Sequence, residues 1–225
     1  MVYRTCLYHP DRVIAVCGVC TPYSPPKTTY VPLEGMVKKF PQFKYQQFLA
    51  NTEVSAKVLD ASPRRLLTSV FRRPFAEMGP EATRMSLQKM LMAVDSDVDH
   101  FVFTQRSTLL SEAELDYYVE QYTASKFAST CQTYATGKID FDNEKGLPSV
   151  IEHPVLFIGA AKDSVLKPEM ASGMAKVMPN LETKVIDDAG HWVLWEQKEE
   201  VNAILSKWLA KIAAGVDEGS PTTKL

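Results

Sequence analysis

Hydrophobic positions change their spacing twice along this chain. Arg12-Val-Ile-Ala-Val-Cys-Gly-Val19 is a nearly unbroken apolar run of strand length. Apolar residues on both faces predict a buried parallel strand. Before it, Tyr3 to Tyr8 reads as the end of a helix stopped by His9-Pro10, with no capping residue ahead of it. After it, Thr21-Pro-Tyr-Ser-Pro-Pro26 breaks regular structure. From Leu33 to about Tyr134 the spacing is helical. Leu33, Met36, Val37 and Phe40 share one helical face, and Leu66, Leu67, Val70 and Phe71 share another. Ser111-Glu-Ala-Glu114 matches a capping box and opens a helix through Tyr122. Gly137 to Ser149 is polar without clear period and reads as a linker.

Strand and helix then alternate again. Val155–Ile158 and Thr183–Ile186 read as strands, and Pro168–Met178 as a helix between them. Gln197–Ala213 is a helix with Val201, Ile204, Leu205, Trp208, Leu209 and Ile212 on its apolar stripe. The fold class is therefore α/β: a short parallel sheet with flanking helices, interrupted by an all-helical insertion. The expected division is a core of residues 1–24 and 147–215, a helical cap with linker over 25–146, and an exposed tail over 216–225. No internal repeat is visible.

Composition narrows the function classes. The 225 residues are 45% hydrophobic and 23% charged, with a formal net charge of -2, which is ordinary for a globular chain and favours no nucleic acid as partner. No apolar run approaches the roughly 20 residues that span a bilayer, so no membrane is expected either. The N-terminus lacks a signal peptide's apolar stretch. Four cysteines are too few for a disulfide scaffold in a chain of this length, so a reducing, cytoplasmic setting is the expectation. The last three residues, Thr223-Lys-Leu225, are one substitution from the Ser-Lys-Leu peroxisomal address.

The chemistry concentrates in two places. Asp163 follows the run Pro154-Val-Leu-Phe-Ile-Gly-Ala-Ala161, and His191 follows the run Glu182-Thr-Lys-Val-Ile186. Functional residues of open α/β sheets sit outside the carboxyl ends of the strands. An acid at one strand end and a His at the next form the orienting half of a catalytic triad. The acid fixes the imidazole tautomer and leaves the other ring nitrogen free to act as base. A nucleophile belongs earlier, on a sharp strand-to-helix turn, and no such turn is evident in these residues. Cys17-Gly-Val-Cys20 falls at a strand end rather than a helix start, and no second pair has metal spacing. Its cysteines read as small buried hydrophobes. His153, before Pro154, reads as structural. His100 lies among Asp95, Asp97 and Asp99 without the Gly and final Glu of a calcium loop, and reads as part of a solvated acidic loop. No metal or cofactor is expected. The insertion's many aromatics, among them Phe40, Phe43, Phe48, Phe101, Phe103, Tyr118, Tyr122 and Phe127, read as core, with a minority left to line an apolar pocket.

The order of several short motifs resembles the soluble epoxide hydrolases of the α/β-hydrolase superfamily. Tyr8-His-Pro-Asp-Arg-Val13 is similar to the segment between that family's nucleophile helix and the next strand. Cys20-Thr-Pro-Tyr23 resembles the exit from that strand into the cap. Pro32-Leu-Glu34 and Pro41-Gln-Phe-Lys-Tyr-Gln46 resemble the first cap helices, and Gly159-Ala-Ala-Lys-Asp163 and Ala189-Gly-His-Trp192 the acid and histidine motifs.

The resemblance implies a partial α/β-hydrolase fold and a small apolar epoxide as substrate. It implies attack by an Asp to give an alkyl-enzyme ester, and hydrolysis of that ester by water activated at His191, oriented by Asp163. Tyr45 and Tyr134 then resemble the two cap tyrosines that hold the epoxide oxygen, although Thr133 replaces the usual Trp before Tyr134. The family's Gly-His-Asp-Trp-Gly-Gly elbow and its His-Gly-Phe-Pro loop are absent from these residues. The expectation is thus the cap plus the C-terminal half of a core, with negligible turnover alone. An N-terminally truncated product, a non-catalytic module binding a hydrophobic ligand or partner, and haloalkane dehalogenase or esterase chemistry remain alternatives. The strand near Val13–Val19 is expected to expose an apolar edge and to favour self-association.

Overall fold

The computed structural model describes residues 2–73, 87–94 and 104–219, with side chains as far as 215. The reading of His100 and its aspartates, of Phe101 and Phe103, and of the C-terminal tripeptide lies outside the described residues. The chain divides into two compact units, Met1–Pro26 with Gly146–Leu225 and Lys27–Lys145.

The first unit is built on a parallel sheet of three strands: β1, Val16–Val19; β2, Val155–Ala160; and β3, Leu181–Ile186, in the order β1-β2-β3. Val16 pairs with Val155 and Val19 with Ile158, while Val155 pairs with Leu181 and Ala160 with Ile186. All six residues of β2 are buried, which explains its unbroken apolar run. Its alternate side chains feed two cores. Val155 and Phe157 pack with Tyr3, Leu7, Val16, Met174 and Met178 on one face. Leu156, Ile158 and Ala160 pack with Ile186, Val193, Val201 and Trp208 on the other. The helix Val2–Tyr8 thus covers one face and the long helix Lys198–Gly219 the other.

Gly18 allows the first of these helices to lie close. A Cβ there would stand 1.9 Å from the Tyr3 hydroxyl oxygen, so the tyrosine ring occupies the space a side chain would need. The Tyr3 hydroxyl also donates to the Thr21 carbonyl at 3.4 Å.

The boundaries depart from the sequence reading in instructive ways. β1 begins only at Val16, because Pro10–Arg12 form a 3-10 turn and Val13 continues as loop. The segment 168–178 is not one helix but two 3-10 turns, Pro168–Ala171 and Met174–Lys176, with Ser172-Gly173 between them. Its apolar residues still find the core, since Met174 and Met178 are fully buried. The C-terminal helix continues past Ala213 to Gly219, into the stretch read as tail.

The second unit contains only helices and a 3-10 turn among the described residues. In chain order these are Leu33–Lys39, the turn Pro41–Lys44, Tyr45–Ala50, Thr52–Ala61, Pro63–Val70, Leu87–Met92, Glu112–Ser125, Ala128–Gln132 and Gly137–Asn143. Its core joins Phe48, Leu49, Leu59, Leu66, Met90, Leu91, Val94, Phe127 and Cys131. The capping box is present as read: the Ser111 hydroxyl accepts from the Glu114 amide at 3.2 Å, and Glu114 accepts from the Ser111 amide at 2.7 Å. Gly137–Asn143, read as linker, is a helix. It buries no residue, so it shows no apolar period, and it is supported by a Lys138–Asp142 ion pair one turn apart. Among the described residues, no helix is long and apolar enough to cross a membrane.

Candidate active site

Each strand of the sheet delivers one residue to the same edge. Asp163 lies just beyond β2, His191 just beyond β3, and Cys20 directly follows β1. Because the strands are parallel and adjacent, their carboxyl ends converge without any special loop.

Asp163 is held from three directions. Its side chain has no solvent exposure, and its Oδ1 accepts the Val165 and Leu166 amides, both at 2.9 Å. Oδ2 meets His191 Nδ1 at 2.8 Å. Burial alone would push this carboxyl up. The bonds from His191 and from the Leu166 and Val165 amides outweigh it and hold the group below the ordinary carboxylate value. The acid is thus charged across the neutral range, and Nδ1 of His191 carries the proton it faces. His191 is half exposed, at 49% of its side chain, and Nε2 lies on the far side of the ring from Asp163. That atom makes no hydrogen bond among the described residues and is free to take a proton.

The loop around the histidine is pinned on both sides. The Lys162 amide donates to the Ala189 carbonyl at 2.9 Å. Glu196 accepts the Gly190 amide at 2.9 Å and the Trp192 amide at 3.1 Å. The Cys20 thiol lies 3.8 Å from the His191 carbonyl and donates to it. Cys20 takes a left-handed backbone, φ 57, that side chains seldom adopt. Its thiol is pushed up to about 12, first by burial and then by the charges of Asp163 and Glu196. It is a donor at neutral pH and not a nucleophile. Sequence reading took Cys20 for a small buried hydrophobe and passed over Glu196 altogether. Nothing in the pattern of side chains marks Glu196 beforehand.

The second unit brings together the other two candidates. Tyr45 opens the helix Tyr45–Ala50, and Tyr134 lies two residues beyond the helix Ala128–Gln132. Their rings meet edge to face at 6.1 Å between centroids. Both pack against the helical core. Burial, and then the neighbouring Tyr45 and Cys131, raise the Tyr134 phenol, so it keeps its proton at neutral pH. The Gln46 amide donates to the Tyr45 hydroxyl at 3.4 Å.

His153 is structural as read, its Nε2 meeting the Pro10 carbonyl at 2.8 Å. Cys6, Cys20 and Cys131 are buried, Cys17 is half-buried, and all four are free thiols. No group of three or more metal-ligating side chains occurs among the described residues.

The first unit is thus a parallel sheet covered on both faces, with an acid–histidine pair bonded across adjacent strand ends. The chain belongs to the alpha/beta hydrolase fold family, whose pattern matches residues 1–198. Within it the chain is similar to proteins named epoxide hydrolases. It is 32% identical over 210 residues to bifunctional epoxide hydrolase 2 of Rattus norvegicus, covering 93% of this chain and 37% of that protein. It is 31% identical over 220 residues to epoxide hydrolase srdG of Neurospora crassa, covering 92% of this chain and 61% of that one. The solved structure of epoxide hydrolase A from Mycobacterium thermoresistibile superposes with a TM-score of 0.75 at 27% identity, covering 93% of this chain and 65% of that one. The chain therefore spans between about a third and two thirds of the length of these relatives.

Proposed function

We propose that these residues supply the water-activating pair and the oxygen-holding tyrosines of an epoxide hydrolase. The observation that carries the reading is the 2.8 Å bond between His191 Nδ1 and the fully buried Asp163 carboxylate, which leaves Nε2 open. In this reading a carboxylate nucleophile from elsewhere in the complete protein opens an epoxide at carbon. Tyr45 and Tyr134 hold the epoxide oxygen, and one of them donates its proton as the C–O bond breaks. The product is an ester linking substrate to enzyme. Water then attacks the ester carbonyl carbon while His191 Nε2 takes its proton. Asp163 stabilises the imidazolium, the carbonyl re-forms, the diol leaves with a proton returned from the imidazolium, and the carboxylic acid so released gives its proton back to the tyrosinate.

Tyr134 is protonated at neutral pH, as a hydroxyl that donates to a developing alkoxide has to be. Small apolar epoxides are the substrate class in this reading; the similar proteins are named epoxide hydrolases, which supports an epoxide and leaves its size and polarity to the proposal. No cofactor or metal enters the scheme. The same proposal includes negligible turnover by the 225 residues alone, because the Gly-His-Asp-Trp-Gly-Gly elbow is not among them. It also includes self-association through β1, which is paired on only one side among the described residues. A cytoplasmic location, with Thr223–Leu225 as a weak peroxisomal address, completes it.

The test is a fusion that places the N-terminal core half of a similar epoxide hydrolase ahead of Met1. Diol formation from an aryl epoxide by the fusion, its loss on His191→Ala, and none from the chain alone are the expected results. Turnover by the fusion that survives His191→Ala would sink the proposal.

A further inference from the structure

The loop that presents His191 has an unusual holder. Gly190 and Trp192 flank the histidine in sequence, and one carboxylate takes both of their amides: Oε2 of Glu196 the first at 2.9 Å, Oε1 the second at 3.1 Å. The Trp192 contact alone would be ordinary, because Trp192 is the residue that opens the short helix ending at Glu196. Helix-opening amides are commonly satisfied by a side chain from the first turn. The Gly190 amide is different. It lies outside that helix, on the other side of His191, and Glu196 has to reach back past the histidine to accept it. The carbonyl of His191 is taken separately by the Cys20 thiol. The Ala189–Gly190 and His191–Trp192 peptides are thereby both held, while the ring stays half exposed.

We infer that Glu196 is a positioning residue for His191: its two oxygens hold the Ala189–Gly190 and His191–Trp192 peptides and so keep Nδ1 on Asp163 with Nε2 open. Glu196 is not a catalytic residue, since both oxygens are spent on backbone amides. The inference rests on the acid–base reading of Asp163 and His191. A single ring bond to Asp163 leaves the imidazole free to swing about that bond and about its own side-chain torsions. Fixing the backbone at residues 190 and 192 holds the point from which those torsions start. A misplacement of about 1 Å at a reacting group can cost ~100-fold in rate, so such a clamp matters to chemistry that it never touches.

The experiment needs no turnover. Histidine-labelled and amide-labelled full chain is studied by NMR as wild type, Glu196→Ala, Glu196→Gln, Asp163→Asn and the surface control Glu199→Gln. The readouts are water exchange of the His191 Nδ1 proton, exchange of the Gly190 and Trp192 amides, and exchange of β2 amides as a gauge of global opening. Glu196→Gln keeps the size of the side chain but has one acceptor oxygen for two amides, so it remains informative where Glu196→Ala folds poorly. The expected result is exchange at least about tenfold faster at the Nδ1 proton and at one or both flanking amides in the Glu196 variants. β2 amides stay unchanged, and Glu199→Gln behaves as wild type. Unchanged exchange at all three protons overturns the inference, as does an increase that β2 amides share in proportion. A Nδ1 proton indifferent to Asp163→Asn would instead strike the acid–base reading, and the inference would fall with it.

Discussion

Replacing Asp163 by Asn keeps the shape of a fully buried side chain and removes only its charge. The Asn oxygen still accepts the Val165 and Leu166 amides, whose bonds to Oδ1 are both 2.9 Å. The amide group then faces His191 Nδ1, where the carboxylate formerly stood at 2.8 Å. Two donors now face each other unless the imidazole adopts its other tautomer, which places the proton on Nε2 and abolishes the base. The stability cost is that of one charge-assisted bond in a buried place, about 2 kcal/mol. Urea unfolding of wild type and variant at neutral pH measures it. The pH dependence carries a sign. The Asp163 carboxyl is held below its ordinary value in the folded chain, despite burial, by His191 and the two amides. Its contribution is therefore complete above the unfolded carboxylate value of about 3.9 and is lost as pH falls through the lower folded value. The gap between wild type and Asp163→Asn should close as pH falls below about 4. A gap that is absent at pH 7, or that stays open at full size well below about pH 4, would refute the account of how this acid is held.

Other predictions follow from the same geometry. Gly18→Ala sets a methyl group 1.9 Å from the Tyr3 hydroxyl, so the ring has to move and thermal stability should fall by ~1–3 kcal/mol; an unchanged melt would show that the helix Val2–Tyr8 does not press on β1. The Cys20 thiol, pushed up to about 12, should resist iodoacetamide at pH 7.5 in the folded chain and react once the chain is unfolded, as read by peptide mass spectrometry; rapid labelling in the folded state would contradict its burial beside two carboxylates. Ser111→Ala removes one arm of the capping box and should cost about 1 kcal/mol in the second unit, measured by chemical denaturation.

Much of this architecture was legible because burial writes itself into spacing. β2 is buried throughout, and its run from Val155 to Ala160 is apolar without a break. Trp208 and Val201 sit one above the other on a helix stripe and reach the same core. The segment 168–178 misled because buried methionines supply a helical spacing that short 3-10 turns satisfy equally well. Gly137–Asn143 misled in the opposite sense: a helix supported by ion pairs on its surface needs no apolar face. At the site, Asp163 and His191 were readable from their place after strands. Glu196 was not, because a carboxylate that binds backbone amides leaves no pattern in side-chain chemistry. Cys20 carried no warning of its left-handed backbone, which glycine more often marks.

The most direct test of the central claim is intact-mass spectrometry of the fused protein with His191→Gln, exposed to an aryl epoxide. The account predicts a stable covalent adduct whose added mass equals that of the epoxide, because the ester forms and its hydrolysis has lost the base. The adduct should disappear when Tyr45 and Tyr134 are both changed to Phe. An enzyme that forms no adduct, or that still releases diol at the wild-type rate, would contradict the assignment of His191 to the water-activating step.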